Sequence, residues 1–368
     1  MSEKRYNDFM KKILMILSLP FMLAGAGLLS SCSDTGKINI VFGDKNGEDV
    51  QTLSFVDLQT KVTSKETFLL VVQYSDGCAC WRSEAHPILK RFTQETKAIV
   101  YHIKYDDLRA GGSTFGIKII EGSVSFAIFK DGKVKENLTT RDNPQLKDYS
   151  LFKEYMEDTI YLPKLFYVTL DDVENMYKSS EKSLIYFSRK SCDDCSYINH
   201  NFLTDWNKSH QKYERPIYVI DCDQPGIRLD ENREYNEEQW FAFKDRHGLS
   251  NKNNSIFGYN GGYVPSFFLI QGSETSTAYL NGAVAFNDPI NEIEEGKYVV
   301  SDSYFTEERL PSLKYIDDSV KHKVLKGLEL SDNDIKVWSS GYKSWKHESA
   351  EKYFNPLLEK FFDYVEKQ

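Results

Sequence analysis

Residues 183–195 read SLIYFSRKSCDDC, and the fold is decided by how this stretch is read. Ser183 to Phe187 is a short apolar run of the type that forms a strand buried on both faces. After four intervening residues, Cys192-Asp193-Asp194-Cys195 sets two thiols one helical turn apart. Upstream, residues 165–168 (LFYV) are strand-like, and Thr169 with Asp172 three positions later has the spacing of a helix capping box. Downstream, a helical segment leads to a further strand at residues 216–222 (PIYVIDC). A glycine-bounded apolar strand, Gly262 to Gly272 (GYVPSFFLIQG), comes later.

The same order occurs earlier in the chain. Residues 38–42 (INIVF) make a short strand, Ser54 and Asp57 repeat the cap, and residues 67–74 (TFLLVVQY) repeat the buried strand. That strand runs through Tyr74-Ser75 to Cys78-Ala79-Cys80. A helical segment, a strand at residues 98–104 (AIVYHIK) and a glycine-bounded strand from Gly122 to Gly132 follow. A repeat of about 120 residues is longer than solenoid periods and implies two duplicated domains.

This order of elements resembles the thioredoxin fold. In the second copy the resemblance rests on the CDDC pair after a buried strand and on Val264-Pro265-Ser266 opening a later one; Pro265 stands where the family's cis-proline loop faces its CxxC. In the first copy it rests on Pro87 to Phe92 (PILKRF) and residues 129–133 (FKDGK), similar to the thioredoxin helix and final hairpin. The likeness covers most of residues 38 to 282 and implies an α/β protein of two tandem thioredoxin-like domains.

If Cys192 lies in the first turn of a helix, unpaired backbone N–H groups and the helix dipole favour its thiolate, the nucleophilic form. The spacing of Cys195, Ile198, Phe202 and Trp206 places Cys195 on the apolar face. Cys192 is then the exposed attacker of a substrate disulfide and Cys195 the sheltered resolver. Asp193 and Asp194 oppose the helix terminus by raising the thiol pKa, which leans the pair toward reductase or isomerase work. Pro265, lacking an N–H, leaves neighbouring backbone within reach of an extended substrate. The rival readings of the pair are a permanently closed structural disulfide and half of a metal site. His200 and Cys222 are the further ligands on offer, but no second CxxC or His-x-x-His supports zinc. Cys222, at a strand end, reads as a small buried hydrophobe.

The first copy departs from the pattern, with a tighter Cys78-Ala79-Cys80 and with Val124-Ser125 where the proline is expected. The pair reads as a second redox site, since a small strained ring raises the reduction potential. Other readings are a Cu(I) site, a lone catalytic Cys80, or a domain used only for docking.

The chain has 368 residues, with 46 Lys+Arg against 55 Asp+Glu, and a formal charge of -9 argues against a basic nucleic-acid footprint. Lys11 and Lys12 precede an apolar run, residues 13–29, and Leu29-Ser30-Ser31-Cys32 follows, resembling the lipobox of bacterial lipoproteins. The resemblance implies a signal peptide over residues 1–31, lipid on Cys32, and a membrane-anchored extracytoplasmic protein whose cysteines escape a reducing cytosol. Loss of residues 1–31 removes four bases (Lys4, Arg5, Lys11, Lys12) and two acids (Glu3, Asp8), leaving -11. The expected domains are residues 32–160 and 161–368. The second carries an insertion near residues 223–255, with a helix from Glu238 to Arg246. It also carries an extended C-terminal region, closed by a helix from Tyr353 to Tyr364.

The function these features imply is thiol–disulfide exchange on protein thiols and disulfides, reset by a further redox partner and needing no cofactor or metal. The rivals are a surface lipoprotein that only binds partners through its thioredoxin-like domains, and a copper-handling protein.

Overall fold

A computed structural model describes residues 36–75, 77–250, 253–255, 258–260, 264–273, 275–284, 290–292, 298–300, 317–326, 328–337, 340, 351 and 355–368. The leader, Cys32, Asp76 and the tail tryptophans Trp338 and Trp345 lie outside the described residues. Both repeats belong to one compact unit, Gly36–Gln368.

In the first half the strand order is Gln51–Thr52, Val100–Lys104, Phe68–Gln73, Val124–Lys130, Lys133–Thr139. The first three strands are parallel and the last two antiparallel. In the second half it is Phe42–Asp44, Leu165–Tyr167, Ile217–Asp221, Lys182–Ser188, Ser266–Gly272, Thr277–Val284, again parallel and then antiparallel. Each order places a parallel strand–helix–strand unit beside a terminal hairpin. The chain is thus a mixed α/β protein of two tandem thioredoxin-like domains.

The apolar runs are continuous because each central strand is covered on both faces. Leu69 and Val71 pack with Phe92, Phe126 and Phe152, while Leu70 and Val72 pack with Leu58, Ile103 and Phe129. In the second half, Leu184 and Tyr186 join Trp206, Phe267 and Phe362, while Ile185 and Phe187 join Ile220, Phe243 and Phe268. Both capping boxes form, Ser54 with Asp57 and Thr169 with Asp172, starting helices Phe55–Thr63 and Leu170–Lys178. The closing helices are Tyr149–Thr159 and Asn355–Glu366, so in the second half the whole C-terminal region is inserted between hairpin and closing helix. The insertion helix runs Glu237–Arg246.

One expected strand is placed differently. Residues 38–42 do not open the first half's sheet; Gln51–Thr52 does. Ile38–Asn39 pairs in parallel with Ile160–Tyr161, and Phe42–Asp44 forms the edge of the second half's sheet. Phe42 stacks on Tyr167 at 5.4 Å between ring centres and packs against the second half's core. Gly43 makes this possible, since a Cβ there would run into the Lys97 carbonyl of the first half. Asn207, fully buried, holds the crossing: its Nδ2 donates to Asn39 Oδ1 (2.7 Å) and Leu162 O (3.3 Å), and its Oδ1 accepts from Lys164 N (3.0 Å).

Candidate active site

The CDDC pair sits at the C-terminal end of strand Lys182–Ser188. Cys192 is the N-cap of helix Asp193–Tyr197, and its sulfur accepts from the Cys195 backbone N–H at 3.4 Å. A wide π-helical turn, Ile198–Leu203, continues the helix, and the first half has a counterpart at Cys80–Ala85. Such turns recur at functional sites. Even with the extra residue per turn, Cys195, Ile198, Phe202 and Trp206 all stay buried. Cys192 is partly exposed, and both cysteines are free thiols.

The Val264–Pro265 peptide bond is cis. It brings the Val264 carbonyl to 3.9 Å from Cys192 Sγ, while Ser266 pairs with Phe187 at the end of the cysteine strand. Cys192, Cys195 and Pro265 are therefore brought together. His200, on the π-helical turn, and Cys222, fully buried, add no ligand set: among the described residues no group of three or more His, Cys, Asp or Glu could hold a metal ion.

The electrostatics differ from the sequence expectation in their balance. The Cys195 thiol donates to Cys192, and with the Cys195 and Asp194 backbone N–H groups it lowers the Cys192 pKa to about 6, against burial. Asp194 does raise the value, as its charge requires, but as a smaller influence. Burial, the hydrogen bond to Cys192 and the thiolate charge push Cys195 far up. Near neutral pH Cys192 is a thiolate and Cys195 a thiol.

Sequence reasoning missed the residues that hold the loop before Cys192. Ser191 N donates to Asp223 Oδ2 at 2.7 Å, and Lys190 N to Asp221 Oδ1 at 3.4 Å. Asp223 is in turn held by Arg228 Nη1 at 2.8 Å, with Arg189 Nε 3.5 Å away. Burial raises the Asp223 pKa, but the Ser191 hydrogen bonds and the two arginines bring it below its ordinary value. Arg228 belongs to the insertion and covers the Tyr235 ring at 4.6 Å, so the insertion is tied directly to the cysteine loop. The legible signal was an Asp-Cys-Asp strand end, Asp221 to Asp223, matched by the basic pair Arg189-Lys190.

In the first half Cys78 and Cys80 form a disulfide, with Cα atoms 5.1 Å apart. Both sulfurs are thus used, which differs from a lone catalytic Cys80. Cys78 is partly exposed and Cys80 buried. Trp81 beside them stacks on His102 at 4.6 Å and meets the tilted ring of His86 at 4.9 Å. His86 Nε2 is 2.7 Å from Asp49, and His102 Nε2 is 3.0 Å from Gln73 Oε1. Neither histidine was foreseen, because Trp81, His86 and His102 come from a helix and a strand that only the sheet brings side by side.

No protein-family model matches the chain, and no curated protein matches it. Among solved structures it is similar to a mutant thioredoxin from Halobacterium salinarum, at 21% identity over 33% of this chain and 98% of that one (TM-score 0.26). It is also similar to human ERp44, at 12% identity over 61% of this chain and 49% of that one (TM-score 0.32). A third is the bb fragment of ERp72, at 11% identity over 63% and 89% (TM-score 0.29). The chain spans about half the length of ERp44. At these identities the likeness is one of fold, and the fold stands on the strand orders given above.

Proposed function

We propose that this protein is a thiol–disulfide oxidoreductase acting on protein thiols and disulfides through Cys192 and Cys195, with isomerase work favoured over the reductase work that the aspartates alone suggest. The observation that carries the reading is the division within one pair: a partly exposed Cys192 lowered to about 6, and a buried Cys195 held protonated. The Cys192 thiolate attacks a substrate disulfide, whose S–S bond breaks as the mixed disulfide forms and whose leaving sulfur takes a proton. Cys195 then loses its proton and attacks Cys192 Sγ, closing the CDDC disulfide and releasing the substrate's second thiol. A fast attacker with a reluctant resolver gives the mixed disulfide time to rearrange, which suits isomerisation. The Val264 carbonyl near Cys192 and the cis Pro265 offer backbone to an extended substrate strand. A separate redox partner resets the pair.

The proposal includes export and anchoring: a signal peptide over residues 1–31, lipid on Cys32 at the outer face of a bacterial cell membrane, and domains over 32–160 and 161–368. Supporting it are Lys11-Lys12, the apolar run and Leu29-Ser30-Ser31-Cys32. Labelling cells with a fatty-acid analogue should mark the wild type, and an unlabelled wild type refutes the anchor.

The decisive test of the chemistry is Cys195→Ser expressed in cells and run on non-reducing gels. Mixed disulfides that vanish when Cys192→Ala is added are expected; their absence refutes the exchange reading.

A further inference from the structure

A row of backbone pairings crosses both sheets. Ile185 pairs with Tyr218, Tyr218 with Phe166 and Phe166 with Gly43. Gly43 then bridges Ala98 in the antiparallel sense, reinforced by Asp44 N donating to Lys97 O at 2.8 Å. Ala98 lies two residues before Val100, the partner of Leu69, so the row ends level with Thr67. Strands Phe42–Asp44, Leu165–Tyr167, Ile217–Asp221 and Lys182–Ser188 run one way through it. Because the Gly43–Ala98 step is antiparallel, Val100–Lys104 and Phe68–Gln73 run the other way.

Each cysteine pair follows the C-terminal end of its central strand, so the two pairs leave this row in opposite senses. A cleft of about 290 Å³ marks the seam where the halves meet, lined by Glu95 and Thr96 from the first and Lys164, Phe166, Arg215 and Pro216 from the second. These residues flank the N-terminal ends of the parallel strands, away from the cysteines. Five inter-strand steps of about 4.8 Å separate Ile185 from Thr67, about 24 Å in all. Sheet twist turns strands about the axis of the row and leaves that length unchanged. Disulfide exchange requires sulfurs at a bonding distance of about 2 Å.

We infer that the CDDC pair and the Cys78–Cys80 disulfide are separate redox centres that do not exchange electrons within one chain; transfer between them passes from the dithiol of one copy to the disulfide of another. This rests on the oxidoreductase reading of the CDDC pair. In the transfer, the Cys192 thiolate attacks Cys78 Sγ of the second copy, the more exposed of its two sulfurs. The Cys78–Cys80 bond breaks, a Cys192–Cys78 bond forms, and Cys80 leaves as a thiolate that takes a proton from water. Cys195 then gives up its proton and attacks Cys192 Sγ, and the released Cys78 thiolate takes that proton. One dithiol is oxidised by two electrons and one disulfide reduced by two.

The test mixes two full-length chains, a reduced, isotope-labelled Cys78→Ser/Cys80→Ser variant and an unlabelled Cys192→Ser/Cys195→Ser variant carrying the Cys78–Cys80 disulfide. Acid quenching, alkylation and mass spectrometry then follow the disulfide. The same readout is applied to wild type, reduced at CDDC and oxidised at Cys78–Cys80, over a tenfold range of protein concentration. The wild-type rate per chain should rise tenfold across that range, with a second-order rate constant that matches the mixed variants. Absence of transfer at every concentration, while the same CDDC dithiol reduces a small aromatic disulfide, overturns the transfer between copies. A wild-type rate independent of concentration overturns the inference. A CDDC pair that fails to reduce the small disulfide overturns the reading beneath it, and this control shows the two failures apart.

Discussion

Replacing Cys195 by alanine removes the thiol whose hydrogen bond is the largest influence holding the Cys192 pKa near 6. A hydrogen bond to a charged group contributes about 1.5–3 kcal/mol, and one pKa unit corresponds to about 1.4 kcal/mol. The Cys192 value should therefore rise by about one to two units. The assay is the rate of iodoacetamide alkylation against pH, with Cys222 insulated by its complete burial. Wild type should show a midpoint near 6, and Cys195→Ala a midpoint of about 7–8. The midpoint is the readout because the absolute rate mixes two opposed effects: less thiolate at low pH, but a more nucleophilic one as its pKa rises. Cys195→Ser keeps an O–H donor and should retain most of the depression, which separates loss of the hydrogen bond from any general loosening of the helix. A Cys195→Ala midpoint within about 0.3 unit of wild type would show that the buried thiol does not stabilise the thiolate, and the division of roles argued here would fall.

Three further outcomes follow from other parts of the molecule. Asp223→Ala frees Ser191 N and both arginines, so turnover on a disulfide substrate should fall roughly tenfold while the alkylation midpoint stays put, because Asp223 positions the loop and does not tune the thiol; a shifted midpoint would contradict that assignment. Asn207→Ala strands the Lys164 N–H and Asn39 Oδ1 at the seam and should cost roughly 2–4 kcal/mol in denaturant unfolding, with early proteolysis around residues 36–44; a loss under about 0.5 kcal/mol would refute its role as the tie. His247 is buried against Tyr177 and Phe243, and neither ring nitrogen makes an aligned hydrogen bond even though Glu174 Oε1 lies 3.3 Å from Nε2. Burial, followed by the Arg246 charge, lowers its pKa to about 4. Its folded value lies below its unfolded one, so the unfolded chain binds the proton more readily, and stability present above about pH 6.5 is lost as pH falls toward 4. The loss is at most about 3 kcal/mol, and melting curves of His247→Phe should be flatter than wild type over that window.

Much of the fold was legible because its signals are local. Two apolar runs each delivering a cysteine pair, two capping boxes and two glycine-bounded strands lie within short spans of sequence, and the central strands formed where hydrophobicity placed them. Burial of Cys195 follows from helical spacing alone, whereas the place of Cys192 at a helix start is a condition in the sequence that the structure meets at the N-cap. The Asp223 clamp was harder to see, since its partners stand about thirty residues apart and meet only because strand Ile217–Asp221 lies beside strand Lys182–Ser188. The effect of the aspartates was read with the right sign and the wrong rank: charge is visible in a sequence, whereas a thiol–thiol hydrogen bond and converging N–H groups exist only once the helix is wound.

The sequence by itself determined a duplicated α/β frame, its two cysteine pairs and the division of Cys192 from Cys195, because period, capping and spacing act within a few residues of one another. Only the tertiary structure decided which sheet the segment Phe42–Asp44 completes. Its pairing partners are more than a hundred residues away in one half and more than fifty in the other, and short strands take their register from whatever surface can bury them. That single placement turns the two halves end to end and sends their sulfurs in opposite directions.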